Sequence, residues 1–144
     1  MNWLLNLFQS IVFQTVMSGV LVFVLSEIIQ KIFLEPFQKY KGVVGKIDSR
    51  LKFYFKIIEN PGTDAQLIER LQICSQELLQ LSCDLESCRK QLIFRSKQTD
   101  KNVSQASKLL IDLHFGVFGK NASDKNLENI ENIRKLLNVP KLSE

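Results

Sequence analysis

Residues 11–26 read IVFQTVMSGVLVFVLS, and the fold turns on this run. No charged side chain occurs between positions 1 and 26. Beyond Glu27 the apolar character continues through Ile28, Ile29, Ile32, Phe33 and Leu34, as far as Glu35-Pro36. A helix that crosses the hydrocarbon core of a bilayer needs about 20 predominantly apolar residues at ~1.5 Å each. Positions 11–34 supply that length, so a transmembrane helix is expected there. Gln14, Thr15, Ser18 and Gly19 are tolerable within it. Gln14 and Ser18 lie four apart and share one face, which could line or glue a cluster of such helices, or be ordinary tolerated polarity. Glu27 and Lys31 are also four apart and can pair near the interface. A buried core helix and an interfacial helix are the competing readings, but a charge-free run of this length is unusual in a soluble domain. A cleaved signal peptide lacks support: no basic residue precedes the run, and no small-x-small site follows it.

The remainder has a different character. The chain has 144 residues, is 45% hydrophobic and carries a net charge of +4. After Ser26, charges recur every few residues, so the apolar excess sits at one end. That fits one small domain plus a membrane segment. The mild basic excess, with a pI near 9.0, suits anionic lipid or nucleic acid and selects neither. Three cysteines, Cys74, Cys83 and Cys88, follow no repeated short spacing, which argues against a disulfide framework or a zinc site.

Lysine and arginine set the expected orientation. None precedes the apolar run; Lys31, Lys39, Lys41, Lys46, Arg50, Lys52 and Lys56 follow it. This asymmetry places the C-terminal part in the cytoplasm and the N-terminus outside, with Trp3 at the outer interface. Pro36 is a place for a bend or a new helix. Past it, Val43, Ile47, Leu51, Tyr54 (or Phe55) and Ile58 form one apolar stripe at spacings of three and four. The stripe packs either on the rest of the domain or on further copies of itself. In the second case Lys39, Lys41, Lys46, Arg50, Lys52 and Lys56 would touch anionic lipid head groups.

Asn60-Pro61-Gly62 is a break, after which Thr63 or Asp64 can cap a helix. Leu67, Ile68, Leu71, Cys74 (or Ser75), Leu78, Leu81 (or Ser82) and Leu85 form its stripe. Residues 89–102, RKQLIFRSKQTDKN, read as a basic, irregular stretch. There Arg89, Lys90, Arg95, Lys97 and Lys101 surround Leu92, Ile93 and Phe94. Such a stretch could meet a partner or a phosphate backbone, or be a solvated loop with a small apolar plug. A helix is expected from about 102 to 117, with Val103, Ala106, Leu109, Leu110, Leu113 and Val117 inward. The last is capped by Ser123 or Asp124, carries Leu127, Ile130, Ile133, Leu136 and Leu137, and stops before Pro140. His114, the single histidine, reads as structural. Nothing alternates with period two, so no sheet is expected.

The expected architecture is therefore all-α. Residues 1–10 are a short external or interfacial N-terminus, 11–34 a transmembrane helix, 36–60 a basic amphipathic juxtamembrane helix, and 63–140 a small helical cytoplasmic domain. Paired carboxylates in a recognisable setting, a phosphate loop, a metal-ligand cluster and an activated nucleophile are all missing from the sequence. No enzyme and no cofactor is expected.

The segment FVLSEIIQKIFLEPFQKYKGVVGKI, residues 23–47, resembles a bacterial family of small uncharacterised single-pass membrane proteins with a helical cytoplasmic domain. The matching positions are Phe33 or Leu34, Glu35, Pro36, Lys41, Val44, Gly45 and Ile47. RLQICSQELLQL (70–81), NVSQASKLLIDLHFGVFG (102–119) and ENIRKLL (131–137) are similar to that family's later helices. The resemblance implies the fold above and brings no activity or catalytic residues with it. In architecture alone, the chain is also similar to small transmembrane effectors of antiphage defence systems, which permeabilise the inner membrane. That analogy implies an oligomerising, membrane-perturbing effector in the bacterial inner membrane, held or triggered by a cytoplasmic protein or nucleic acid. The alternative is a non-catalytic anchor or scaffold for a cytoplasmic partner.

Overall fold

A computed structural model describes residues 11–59, 65–92, 96–119 and 122–139. Several expectations fall outside them: Trp3 and the rest of 1–10, the Asn60-Pro61-Gly62 break with its caps, Ile93, Phe94, Arg95 and Pro140. The described residues are helical, with no strand among them. Helix α1 spans Ile11–Ile29, a π-helical turn spans Gln30–Leu34, and α2 spans Glu35–Phe53. Then come α3 (Phe55–Glu59), α4 (Ala65–Gln91), α5 (Lys97–Gly116) and α6 (Ser123–Leu136).

From Ile11 to Phe53 the helix is continuous over 43 residues, about 65 Å at 1.5 Å per residue. Pro36 does not interrupt it; a π-helical turn directly ahead accommodates the conflict. Proline has no N–H to offer, and its ring crowds the carbonyl four residues back. Just ahead of it the Glu35 N–H reaches five residues back to the Gln30 carbonyl, which widens the turn. The widening also shifts the register of Lys31. Glu27 and Lys31 form no ion pair among the described residues. The expected helix over 36–60 is in fact two, divided at Tyr54, whose N–H closes on the Arg50 carbonyl at 2.9 Å.

Four stripes with one spacing build the core. Ile47, Leu51, Tyr54 and Ile58 come from α2 and α3, and Leu71, Cys74, Leu78, Leu81 and Leu85 from α4. Val103, Ala106, Leu110, Leu113 and Val117 come from α5 and its end, and Ile130, Ile133 and Leu137 from α6 and its end. Steps of three and four alternate in each, a 3.5-residue period that lets neighbouring helices pack along a continuous seam. The stripe on α2 and α3 is thus buried within its own chain, as the first of its two readings had it. Ile68 was expected inward but is 45% exposed, because it falls off the seam that runs through Leu71, Cys74 and Leu78. Residues 89–91 and 97–102 are helical, where an irregular stretch was expected. Helix α4 runs on to Gln91, and α5 begins at Lys97 behind Ser96, whose Oγ accepts from the Thr99 N–H at 3.0 Å. This serine cap satisfies one orphan donor of the first turn.

Buried polar groups pin the register between helices. Ser82 Oγ and Ser107 Oγ lie 2.9 Å apart between α4 and α5. The Asn126 amide donates to the Ile58 and Gly116 carbonyls at 3.2 and 3.1 Å, tying the ends of α3 and α5 to the start of α6. A Cβ on Gly116 would run into that amide. Arg134, 4% exposed, meets Asp48 at 2.7 Å and so links α6 to α2.

Candidate functional site

The feature that most needs a function is α1. None of its residues is buried. From Ile11 to Leu34 its large apolar side chains other than the half-buried Phe13 are 39–81% exposed, including Val20, Leu21, Val22, Phe23 and Leu25. Moving one such side chain out of water is worth about 1.5–3 kcal/mol. Over the whole run the gain is on the order of 20 kcal/mol, more than the folding stability of an ordinary domain. Monomeric soluble proteins rarely expose contiguous apolar surface on this scale. It is the one helix among the described residues long and apolar enough to cross a membrane.

Its polar groups are compatible with lipid. Thr15 Oγ1 donates to the Ile11 carbonyl at 2.8 Å, Ser18 Oγ to Thr15 at 2.9 Å, and Ser26 Oγ to Val22 at 2.8 Å. Each hydroxyl is satisfied inside its own helix, which is how such residues persist where no water is at hand. Gln14 and Ser18 share the exposed surface of α1.

The basic residues divide into groups the sequence did not separate. On α2, Lys46 faces Asp84 at 3.8 Å, Arg50 faces Glu77 at 3.1 Å, and Lys52 pairs with Asp48 at 2.8 Å. The first two reach across to α4, whereas Lys52 pairs within α2 and is exposed. Lys39, Lys41 and Lys56 are exposed and make no ion pair among the described residues. Lys41 Nζ lies 4.7 Å from the centre of the Phe37 ring. Lys56, on α3, sits at the far end of the bundle from α1, two residues before Ile58, whose carbonyl Asn126 holds.

In the stretch expected to be irregular, Arg89 is a structural link. Its Nε donates to Glu86 at 2.9 Å and its Nη1 to Asp100 at 2.7 Å, joining α4 to α5. These bonds hold the guanidinium pKa above its ordinary value and the Glu86 pKa below its own, the Arg89 hydrogen bond being the main cause. Lys90, Lys97 and Lys101 are exposed at the adjoining ends of the same two helices. Arg95 lies outside the described residues.

The remaining reactive groups are quiet. Cys74 is fully buried, and burial, helped by Glu77, pushes its thiol up to about 12. Burial raises Cys88 as well, while Cys83 is exposed. His114 Nδ1 lies 2.6 Å from Ser75 Oγ and 2.9 Å from the Ser75 carbonyl, a link between α5 and α4. Among the described residues no three His, Cys, Asp or Glu side chains gather to hold a metal. A shallow, open groove between α5 and α6 is lined by Gln98, Asn102, Gln105, Lys108 and Asn132. It brings together no nucleophile and base.

No family model matches the chain, and neither a curated protein nor a solved structure is similar to it.

Proposed function

We propose that the protein is a non-catalytic membrane anchor: α1 crosses the bacterial inner membrane and holds the bundle, on the cytoplasmic side, as a platform for a partner. The observation that carries this reading is an apolar helix long enough to span a bilayer with none of its residues buried. Orientation rests on Lys and Arg, which begin only at Lys31. In this arrangement α2 is the juxtamembrane helix and α3 to α6 belong to the cytoplasmic domain.

The effector reading, in which spans cluster and breach the barrier in antiviral defence, takes second place. It needs contacts between α1 helices. Of the Gln14–Ser18 face that would glue such a cluster, the Ser18 hydroxyl is already bonded to a carbonyl of its own helix. Induced expression in a bacterium, with a voltage-sensitive dye and alkaline extraction of membranes, separates the readings. Retention in the extracted membrane with the potential intact supports the anchor. Rapid depolarisation that requires residues 11–34 supports the effector. Release of the protein by alkali defeats both.

A further inference from the structure

We infer that the α1-proximal end of the bundle is a second membrane contact, where Lys39, Lys41, Lys90, Lys97 and Lys101 engage anionic lipid head groups. The inference rests on the reading of α1 as a membrane span.

The topology brings these residues to one end. Helix α4 runs antiparallel to α2: Arg50 meets Glu77, Lys46 meets Asp84, and Lys39 borders the same groove as Cys88 and Gln91. Descending α4 therefore leads back toward α1. Helix α5 runs antiparallel to α4, with His114 beside Ser75, Ser107 beside Ser82 and Asp100 beside Arg89. The last turn of α4, with Lys90, and the first turns of α5, with Lys97 and Lys101, thus lie level with Lys39. Lys39 itself comes five residues after Leu34, the last apolar residue of the run. That places it about 7.5 Å along the helix axis from the run's end. The separation is below the ~8–10 Å over which charges act across physiological salt.

The balance of charge at this end favours an anionic surface. Arg89 is committed to Glu86 and Asp100, and Asp84 to Lys46. Glu35 is the other carboxylate close by, at the start of α2. Against these stand five exposed lysines. At the opposite end, Lys56 and Lys125 are interspersed with Glu59, Glu69, Asp124 and Glu128, so the signs are mixed. A lysine near an anionic leaflet biases association by about fivefold. Several held by one rigid body act together. A nucleic acid would find the same charge, but the continuity with α1 makes the bilayer surface the nearer partner.

Amine footprinting tests this on the full chain reconstituted in vesicles. A membrane-impermeant acylating reagent is applied, and each lysine is read by mass spectrometry. One set of vesicles is pure phosphatidylcholine; the other contains phosphatidylglycerol. The expected result is acylation of Lys39, Lys41, Lys90, Lys97 and Lys101 slowed several-fold by the anionic lipid, with Lys56 and Lys125 unchanged. The combined variant Lys90→Gln, Lys97→Gln and Lys101→Gln should then weaken the protection left at Lys39 and Lys41. Equal rates in both lipids, in a protein that still resists alkaline extraction, would overturn the inference and leave the span intact. Protection that appears only on adding an oligonucleotide would overturn it in favour of nucleic acid. Loss of the protein to alkaline extraction would remove the span and this surface together.

Discussion

Between Ile11 and Phe53 the backbone is one helix, yet the side chains before and after its π-helical turn are arranged by different rules. In α1 apolar residues cover every face and no side chain is buried. In α2 they gather mainly on one stripe, of which Ile47 and Leu51 are buried, and the other faces are charged apart from the exposed Phe37 and Phe53. The first pattern suits a helix surrounded by apolar material, the second a helix with protein on one side and water on the other. Secondary structure is the same in both, so the difference lies in what each half must be packed against.

That contrast can be broken by the same kind of change made in each half. Leu78→Ala, deep in the core, should destabilise the bundle by about 2–5 kcal/mol in denaturant unfolding. Val20→Ala in α1 should leave that transition where it was, and a comparable loss would show that α1 belongs to the core. Val20→Arg, by contrast, should oppose membrane insertion by about 3 kcal/mol. Fractionation should show it leaving the membrane while thermal unfolding of the bundle stays put. Gly116→Ala should lower stability by about 1–3 kcal/mol, since the new methyl displaces the Asn126 amide. Pairing it with Asn126→Ala should recover part of the loss.

Alkaline pH provides a finer probe. The Cys74 pKa is raised from an ordinary 9.0 to about 12 in the folded protein. The unfolded chain therefore gives up that proton first. The contribution of this thiol is complete below pH 9 and falls away as pH climbs toward 12, by up to about 1.4 kcal/mol per pH unit. Cys88 and Tyr54 are raised too, by burial, and act in the same direction. At pH 8 a thiol reagent should label Cys83 quickly, and Cys74 and Cys88 only on unfolding. Smallest of all, Lys46→Ala should shift unfolding by less than about 1 kcal/mol, because its 3.8 Å contact with Asp84 is half in water.

Much of this was legible in the order of residues. A charge-free run declares itself without reference to anything distant, and so does a stripe such as Leu71, Cys74, Leu78, Leu81 and Leu85. Sequence failed where the deciding partner is far along the chain. Nothing near Asn126 announces that its amide closes on Ile58 and Gly116, and nothing near Asp48 announces Arg134. Arg89 and Lys97 were misjudged for a nearer reason: basic residues at helix ends look like loop. Cations are favoured in a last turn, where carbonyls are exposed, as in α4. Ser96 and Thr99, three apart, carried the start signal for α5. Of the candidate site, the lysines were visible as charge, but their separation into bundle-facing and free groups required the packing of α4 against α2.

The π-helical turn at Gln30–Leu34 also fixes an azimuth. Each α-helical residue advances about 100° around the axis and a π-helical one advances less, so the winding of that turn aims everything beyond it. Because α1 and α2 are otherwise a single rod, deleting Lys31 would return the turn to α-helical register. Four α-helical residues sweep about the same angle as five π-helical ones, so that deletion would keep the bundle's azimuth, whereas rewinding all five residues as α-helix would swing it roughly a quarter-turn around α1. The turn is therefore the setting that decides which side of the bundle looks along any given direction in the plane perpendicular to α1.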